Sequence, residues 1–121
     1  MVHLGNEQFA SFIAAKSAAA VHFDAEWNIS YRAVTRRQMQ EAEASLSEQV
    51  NFGEVDCDAS PELAKSTCLL NIPSVAYYKD GKLVAVLVGA RQNVRARLER
   101  ILRGESIGPD DGLGGAKSVV R

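Results

Sequence analysis

The chain has 121 residues, 46% of them hydrophobic, which is enough for one compact domain and too short for two ordinary ones. Its 14 basic and 15 acidic residues give a formal charge of -1, so no bulk field attracts nucleic acid, a membrane surface or an acidic substrate. Two cysteines are too few for a disulfide framework, and no histidine pair accompanies them at the spacing of a zinc site.

The first half of the chain alternates between helix and strand patterns. Asn6 precedes apolar positions spaced three and four apart, which predicts a short amphipathic helix, and residues 18–23 then predict a buried strand. Strong helix formers without Gly or Pro predict the longest helix from about residue 30 to 49. Its loose apolar stripe consists of Val34, Met39, Ala42 and Leu46. The alternation of apolar and polar side chains over residues 50–56 predicts a second strand.

The second half contains a short helix, a hairpin and a last helix. Ser60 and Pro61 form an N-cap signal for a helix that runs toward Cys68 and is stopped by Ile72-Pro73. The Asp80-Gly81 pair predicts a tight turn that joins strands over residues 74–79 and 82–88. Apolar residues on one face predict a helix that ends near Gly104, a plausible C-cap: Val94, Leu98, Ile101 and Leu102.

The pattern ends after this helix. Residues 107–121 are rich in Gly and show no periodicity, so we expect one domain over residues 1–104 and a flexible tail over residues 105–121. The order helix, strand, helix, strand, helix, hairpin, helix implies an α/β fold, with a mixed sheet and helices on both of its faces.

Four fragments, in this order, resemble the thioredoxin family. Residues 21–27 (Val-His-Phe-Asp-Ala-Glu-Trp) resemble the strand that delivers its active site, and residues 55–58 resemble the end of the next strand. Ile72-Pro73 resembles the cis-proline loop, and residues 78–90 resemble the terminal hairpin. The resemblance covers most of residues 5–104 and implies a thioredoxin fold, with a central mixed sheet of four to five strands and helices on both faces.

The resemblance fails at the redox motif. The family's chemistry needs two thiols two residues apart at a helix N-terminus, where the helix dipole lowers the pKa of the first. The corresponding residues after Trp27 are Asn28, Ile29, Ser30 and Tyr31. An amide cannot attack a disulfide and a phenol cannot resolve a mixed disulfide, so dithiol exchange is excluded at this place. We therefore lean against an enzyme and expect no catalytic residue in this degenerate motif.

A second departure lies beside the motif. Thioredoxins commonly pair a buried acid with a lysine on the neighbouring strand, and the matching positions here are His22 and Glu54. One interpretation is a residual proton relay. The favoured one is a half-buried histidine whose ring is hydrogen-bonded by Glu54, because an unpaired polar group there would cost about 1 to 3 kcal/mol. If the two side chains touch, Glu54 should raise the pKa of His22 while burial opposes that rise.

The two cysteines belong to different predicted elements. Cys57 ends a strand at a position that the family fills with an aliphatic residue, and an inert core side chain is expected. The resemblance places Cys68 where some thioredoxins carry an extra regulatory cysteine, which leaves open a modifiable, reactive or dimer-forming thiol. We do not expect a Cys57–Cys68 disulfide, because a strand end and a helix end separated by a helix rarely come within about 7 Å.

The resemblance also implies a peptide-binding surface. In the family an extended segment lies across the tryptophan before the motif, pairs with the residue before the cis-proline and touches the Gly-Ala after the last strand. The corresponding residues are Trp27, Ile72, Pro73, Gly89 and Ala90, and Tyr31 adds an aromatic contact. The alternative is that Trp27 only packs within its own loop.

Arginine is concentrated on two of the helices. Arg32, Arg36 and Arg37 lie on the long helix and Arg95 on the last, beside Arg91, Arg97, Arg100 and Arg103. Because the fold would place both helices on the same face of the sheet, a shared basic patch could dock an acidic partner. The favoured alternative is a solvated surface neutralised by Glu41, Glu43 and Glu99.

Three hypotheses of function follow. The first is a redox-inactive, thioredoxin-like adaptor or chaperone-like module that binds a protein or an extended peptide. The second is an atypical thiol-disulfide oxidoreductase, involved in redox homeostasis, that uses Cys68. The third is a structural subunit of a larger assembly.

We expect no cofactor, metal, nucleic acid or membrane partner. The first residues form no signal segment and no stretch approaches the roughly 20 apolar residues of a membrane span, so a cytoplasmic location is expected.

Overall fold

A computed structural model describes residues 1–118 of the chain. The strands are β1 (Val2–His3), β2 (Ala18–Asp24), β3 (Val50–Asp56), β4 (Ser74–Lys79), β5 (Lys82–Val88) and β6 (Lys117–Ser118). The helices are α1 (Asn6–Ala14), α2 (Ile29–Leu46), α3 (Pro61–Cys68) and α4 (Val94–Leu102). None of the helices in this part of the chain combines the length and the apolar character that crossing a membrane requires.

The strands form one mixed sheet in the order β1-β3-β2-β4-β5-β6. Strand β3 is parallel to β1 and β2, whereas β4, β5 and β6 run antiparallel to their neighbours. The expected mixed sheet is confirmed, but within residues 1–118 it has six strands instead of the expected four to five. The difference lies at the two edges, where β1 and β6 contribute only two residues each.

Two cores lie on opposite faces of the sheet, because successive side chains of a strand point to opposite sides. Ala18 and Ala20 of β2 pack with α2 and α4, through residues such as Met39 and Leu98. Ala19 and Val21 face the other side, where α1 and α3 pack. Helices therefore cover both faces, as the sequence predicted.

Of two local predictions, that of the hairpin turn is confirmed and that of the apolar face of α2 is partly wrong. The Asp80-Gly81 turn is confirmed: both residues have positive φ, 51° and 79°, as a two-residue hairpin turn requires. The apolar stripe of α2 is partly wrong. Its buried residues are Thr35, Met39 and Ala42, whereas Val34 is exposed, because the hydroxyl of Thr35 turns inward to the carbonyl oxygen of Ala90 at 2.9 Å.

Residues 105–118 differ from the expected flexible tail. The fully buried guanidinium of Arg97 binds both carboxylate oxygens of Asp111, at 3.0 and 3.1 Å. Strand β6 then pairs with the edge of β5, and a Cβ on Gly115 would collide with the carbonyl oxygen of Arg91. This segment thus lies against α4 and β5. The last three positions of the predicted tail, 119–121, fall outside the described residues.

Candidate functional site

The register of the sheet gathers four loops at one end. Phe23 of β2 is opposite Ser74 of β4, and Ser74 is opposite Val88 of β5. The segment after β2, the turn before β4 and the turn after β5 therefore meet there. Asp24 is opposite Asp56, so the segment that begins with Cys57 joins them. The predicted peptide-binding residues and the degenerate motif all belong to these segments.

The motif segment presents large apolar side chains to solvent. Trp27 is 67% exposed, Ile29 is 69% exposed and Tyr31 is 61% exposed. The sequence alternative in which Trp27 packs within its own loop does not fit this exposure.

Asp24 holds the loop that carries these side chains. Its Oδ1 accepts hydrogen bonds from the backbone N–H of Ala25 at 2.8 Å and from Nδ2 of Asn28 at 3.0 Å. Asn28 occupies the N-cap position of α2, but its side chain does not cap the helix. The amide that replaces the first thiol of the motif is therefore a structural link to Asp24.

The proline loop offers a free backbone edge. The Ile72–Pro73 peptide bond is cis, and the carbonyl oxygen of Pro73 accepts a hydrogen bond from the N–H of Gly89 at 2.9 Å. Ile72 is partly exposed, and neither its N–H nor its carbonyl oxygen has a partner among residues 1–118. An extended peptide would find both a donor and an acceptor there.

Gly89 and Ala90 contribute differently. The carbonyl oxygen of Gly89 accepts from Nε2 of Gln92 at 2.8 Å, and that of Ala90 accepts from Thr35. A Cβ on Gly89 would lie 2.6 Å from the carbonyl oxygen of Gly115. Gly89 is therefore needed for close packing against the C-terminal segment, and its backbone groups are already engaged.

Beside the motif lies a buried polar cluster that the sequence named only in part. His22 is fully buried rather than half-buried, and its Nδ1 lies 3.0 Å from Oε2 of Glu54. Arg36 of α2 binds the same carboxylate with two hydrogen bonds of 2.7 and 2.5 Å. Nε2 of His22 lies 3.3 Å from Oδ2 of Asp24, and neither atom has another partner in the described chain.

These contacts fix the charges of the cluster. Burial lowers the pKa of His22, but hydrogen bonds and charges from Asp24 and Glu54 outweigh burial and raise it above 6.5. Burial likewise opposes ionisation of Glu54, yet Arg36 and His22 lower its pKa to about 2. The direction expected for His22 from the sequence is thus confirmed. Glu54 is an anion at neutral pH, held between Arg36 and His22.

A small cavity of about 80 Å³ opens beside the cluster and is lined by Asp24, Arg32, Arg36 and Glu54, among others. It has room for a few water molecules and none for a cofactor. Within residues 1–118 no group of three or more His, Cys, Asp or Glu side chains is placed to hold a metal ion.

The arginines do not form one patch. Arg36 is engaged by Glu54, and Arg95 lines a different groove, between α2 and α4, where it pairs with Glu99 at 3.7 Å. Arg97 is buried, and Nη1 of Arg100 donates to the carbonyl oxygen of Asp111 at 2.6 Å. Arg37 remains exposed. Asp111 could not be identified as a counterion from the sequence, because the segment around it has no periodicity.

Cys57 and Cys68 are both free and buried, and both belong to the core cluster on the face of the sheet where α1 and α3 pack. The thiol of Cys68 donates to the carbonyl oxygen of Ala64 at 3.1 Å. The left-handed conformations of Leu69 and Leu70 end α3 abruptly and turn the chain back toward β3 and β4. Sequence spacing alone did not show this reversal. Cys68 is fully buried, which removes it from contact with a protein substrate.

Comparisons with known proteins agree on the fold. The family model described as Thioredoxin matches residues 1–102. A Plasmodium falciparum thioredoxin structure is 22% identical, with a TM-score of 0.69 over 86% of this chain and 98% of that one. A structure from work on thiol resolution in yeast mitochondrial 1-Cys peroxiredoxin is 23% identical, with a TM-score of 0.70 over 86% and 94%. Human ERp44 is also 23% identical at a TM-score of 0.70, over 88% of this chain but only 29% of that protein. No curated protein matches the sequence.

Proposed function

Because the chain belongs to the thioredoxin family, we propose that it is a member that binds an extended segment of a protein or peptide and performs no dithiol exchange at the family's motif. It would serve as an adaptor or chaperone-like module. The binding surface consists of Trp27, Tyr31, Ile72, Pro73 and the turn at Gly89 and Ala90.

The observation that carries this proposal is the exposure of Trp27, Ile29 and Tyr31 at the same end of the sheet as the unpaired backbone of Ile72. Aromatic side chains supply large contact areas at low entropic cost, and a free N–H and C=O supply strand-like hydrogen bonds. Several large apolar side chains exposed at one end of a small domain are a common mark of an interaction site.

The chemistry of the surrounding residues supports binding over turnover. Asn28 is tied to Asp24, and Tyr31 is a solvent-exposed phenol. His22 is enclosed between two carboxylates, which supports a structural ion pair rather than a relay to the motif. Cys68, the thiol on which an oxidoreductase would depend, is shielded from protein substrates. No contact among the described residues favours a structural subunit over these two.

The partner is an apolar, extended segment rather than an acidic surface. Of the four arginines considered, Arg36 is paired with Glu54 and Arg95 with Glu99, whereas Arg32 and Arg37 form no ion pair within residues 1–118. We further propose a cytoplasmic location, supported by two cysteines that are both free.

Trp27 is the only tryptophan, so its fluorescence reports directly on the proposed surface. Unstructured peptides would be selected on the immobilised chain from a random library and then titrated into the protein in solution. We expect Trp27 emission to shift on binding, and Trp27→Ala to weaken the affinity at least about tenfold. Methylation of the peptide backbone at the position facing Ile72 should weaken it as well.

Leu83→Ala is the matched control. Leu83 is also an exposed apolar side chain, but it lies next to the Asp80-Gly81 turn, at the opposite end of the sheet. Selected peptides should bind this variant as they bind the wild type. The proposal is wrong if no peptide is enriched, or if Trp27→Ala and Leu83→Ala bind equally well.

A further inference from the structure

A chain of short contacts runs from the buried His22–Glu54 pair to the loop before α2. Nδ1 of His22 lies 3.0 Å from Glu54, and Nε2 of the same ring lies 3.3 Å from Oδ2 of Asp24. The other oxygen of Asp24 accepts hydrogen bonds from the N–H of Ala25 and from the side-chain amide of Asn28. One carboxylate therefore joins the histidine ring to the loop that presents the exposed aromatic side chains of the proposed binding surface.

The contact with Glu54 fixes which ring nitrogen of His22 keeps a hydrogen. Burial opposes ionisation of Glu54, but Arg36 and His22 lower its pKa to about 2, so near neutral pH this carboxylate can only accept hydrogen bonds. Nδ1 of His22 must therefore be a donor. A neutral imidazole has a single N–H, so Nε2 carries a hydrogen only when the ring is protonated.

The contact on the other side of the ring depends on that second hydrogen. Nε2 of His22 and Oδ2 of Asp24 are buried, and neither forms a hydrogen bond with any other group among residues 1–118. At 3.3 Å a protonated ring and a carboxylate attract each other. A neutral ring would instead direct a lone pair at the carboxylate oxygen, and two buried acceptors without a donor between them are costly.

A displacement of Asp24 would reach the loop directly. Its two oxygens belong to one planar group, so Oδ2 cannot turn away from the ring of His22 unless Oδ1 moves too. Oδ1 is the atom that holds the N–H of Ala25 at 2.8 Å and Nδ2 of Asn28 at 3.0 Å. Loss of these two bonds would free the loop over residues 25–28, which carries Trp27.

Ionisable groups approach this cluster from four elements: Asp24 on β2, Glu54 on β3, Arg36 on α2 and His3 on β1. Arg36 and His3 approach the carboxylate of Glu54, to 2.7 and 3.7 Å. Strand β4 places the apolar residue Val75 opposite His22. The cavity beside the cluster is lined by further charged side chains: Glu26, Arg32 and Asp56. Both ring nitrogens of His22 thus face carboxylates, which favours the protonated ring.

The two carboxylates set the pH range in which His22 loses its proton. Burial lowers the pKa of His22, but Asp24 and Glu54 outweigh burial and raise it above 6.5. The proton between Nε2 and Asp24 is therefore present in mildly acidic solution and is lost as pH rises through the raised value.

We propose that protonation of His22 regulates the peptide-binding surface, because a proton between His22 and Asp24 keeps the loop that carries Trp27 in its binding form. This inference rests on the proposed peptide binding and adds the regulation of that surface. Affinity for an extended peptide falls as pH rises and the ring becomes neutral. Linkage is reciprocal, so a bound peptide keeps the proton on His22 up to a higher pH.

The first test follows the free, full-length chain by nuclear magnetic resonance from about pH 6 to about pH 9. His3→Gln leaves His22 as the only histidine, which makes its ring signals unambiguous. We expect the amide proton of Ala25 to move upfield or to exchange faster with the same midpoint as the ring. Circular dichroism establishes that the chain stays folded throughout.

Two results in the free chain would overturn the inference. One is a ring of His22 that does not change its charge in this range. The other is a ring that titrates while the Ala25 signal stays in place, as it would if water from the neighbouring cavity satisfied Oδ2 of Asp24 without any movement of the loop.

The second test measures affinity with a peptide selected on the immobilised chain, acetylated, amidated and free of His and Cys so that it does not titrate itself. Its affinity should fall at least about fivefold between about pH 6 and about pH 9, and its binding should move the midpoint of His22 to higher pH. Binding that is independent of pH would refute the regulation and leave the proposed function standing. Absence of binding at every pH would refute the proposed function, whereas the Ala25 signal decides the coupling on its own.

Asp24→Asn is the most specific variant. Its amide can donate from Nδ2 to the neutral ring of His22 while its oxygen still accepts from the loop, so the contact no longer needs the proton. The affinity of this variant at about pH 9 should therefore equal its own affinity at about pH 6. His3→Gln is the matched control and should keep the pH dependence of the wild type. The inference is wrong if Asp24→Asn retains that dependence or if His3→Gln abolishes it.

Discussion

His22 and Glu54 occupy directly opposed positions on the parallel strands β2 and β3, and Nδ1 of His22 lies 3.0 Å from Oε2 of Glu54. Both side chains point to the face of the sheet that α2 covers, where Arg36 reaches the same carboxylate. Asp24 adds a second anion next to His22. The charges alternate through this buried cluster, and its stability must depend on pH.

The loss of stability as pH rises is due to His22. Its pKa in the folded chain is raised above 6.5, so the stabilisation by protonated His22 is fully present below pH 6.5 and is lost as pH rises through the raised pKa. His22→Gln should remove this loss and flatten the curve of unfolding free energy against pH. Urea unfolding at several pH values from about 6 to about 9 measures it.

His3→Gln is the control for this measurement. His3 is the other histidine of the chain and also faces Glu54, at 3.7 Å, but its side chain is 80% exposed. This variant should keep the alkaline loss of the wild type. The assignment to His22 fails if His3→Gln flattens the curve and His22→Gln does not.

The loss of stability as pH falls is due to Glu54. Its pKa is lowered from 4.5 to about 2, so its stabilisation is present above pH 4.5 and is lost as pH falls toward about 2. Glu54→Gln should destabilise the chain by about 3 kcal/mol at neutral pH, because His22 and Arg36 then lose their shared counterion. Chemical denaturation at neutral and acid pH tests both statements.

Glu105→Gln serves as the comparison for Glu54→Gln. Glu105 also binds an arginine, Arg103, but both side chains are exposed, and an exposed ion pair contributes little. We expect no measurable change in unfolding free energy for this variant. Equal effects of the two substitutions would contradict the importance of burial.

Much of the fold was predictable because its signals are local. The hairpin follows from the positive φ that Asp80-Gly81 adopts, and the short helix α3 from Ser60 and Pro61. The pairing of His22 with Glu54 was also predicted, since two strands of a known order fix which residues face each other.

The missed features are all non-local. Asp24 and Arg36 reach the His22–Glu54 pair from a strand end and from a helix, which no spacing rule connects. The abrupt end of α3 depends on Leu69 and Leu70 in left-handed conformation, and leucines do not signal such a turn. Arg97 was expected on a surface, but its true partner lies 14 residues further along, in a segment without periodicity.

The exposure of Trp27 predicts that its side chain contributes little to stability, independently of any role in binding. A side chain that is 67% exposed contributes little to the core, so Trp27→Ala should change the unfolding free energy by less than about 0.5 kcal/mol. Phe23→Ala, in the buried strand just before it, should cost about 3 to 5 kcal/mol. A large loss for Trp27→Ala would restore the interpretation in which this residue packs its own loop.

The C-terminal segment provides the last prediction. Burial opposes ionisation of Asp111, but hydrogen bonds from Arg97 and from the N–H groups of Leu113 and Gly108 lower its pKa to about 2. Asp111→Asn leaves the buried guanidinium of Arg97 without a counterion, so it should cost about 3 kcal/mol and release residues 105–118 from α4. Faster tryptic cleavage after Lys117 would report that release. Asp110→Asn, one residue away and exposed, should cleave at the wild-type rate. If both variants behave like the wild type, this segment is not held by the Arg97–Asp111 pair, and the original expectation of a flexible tail would be the better description.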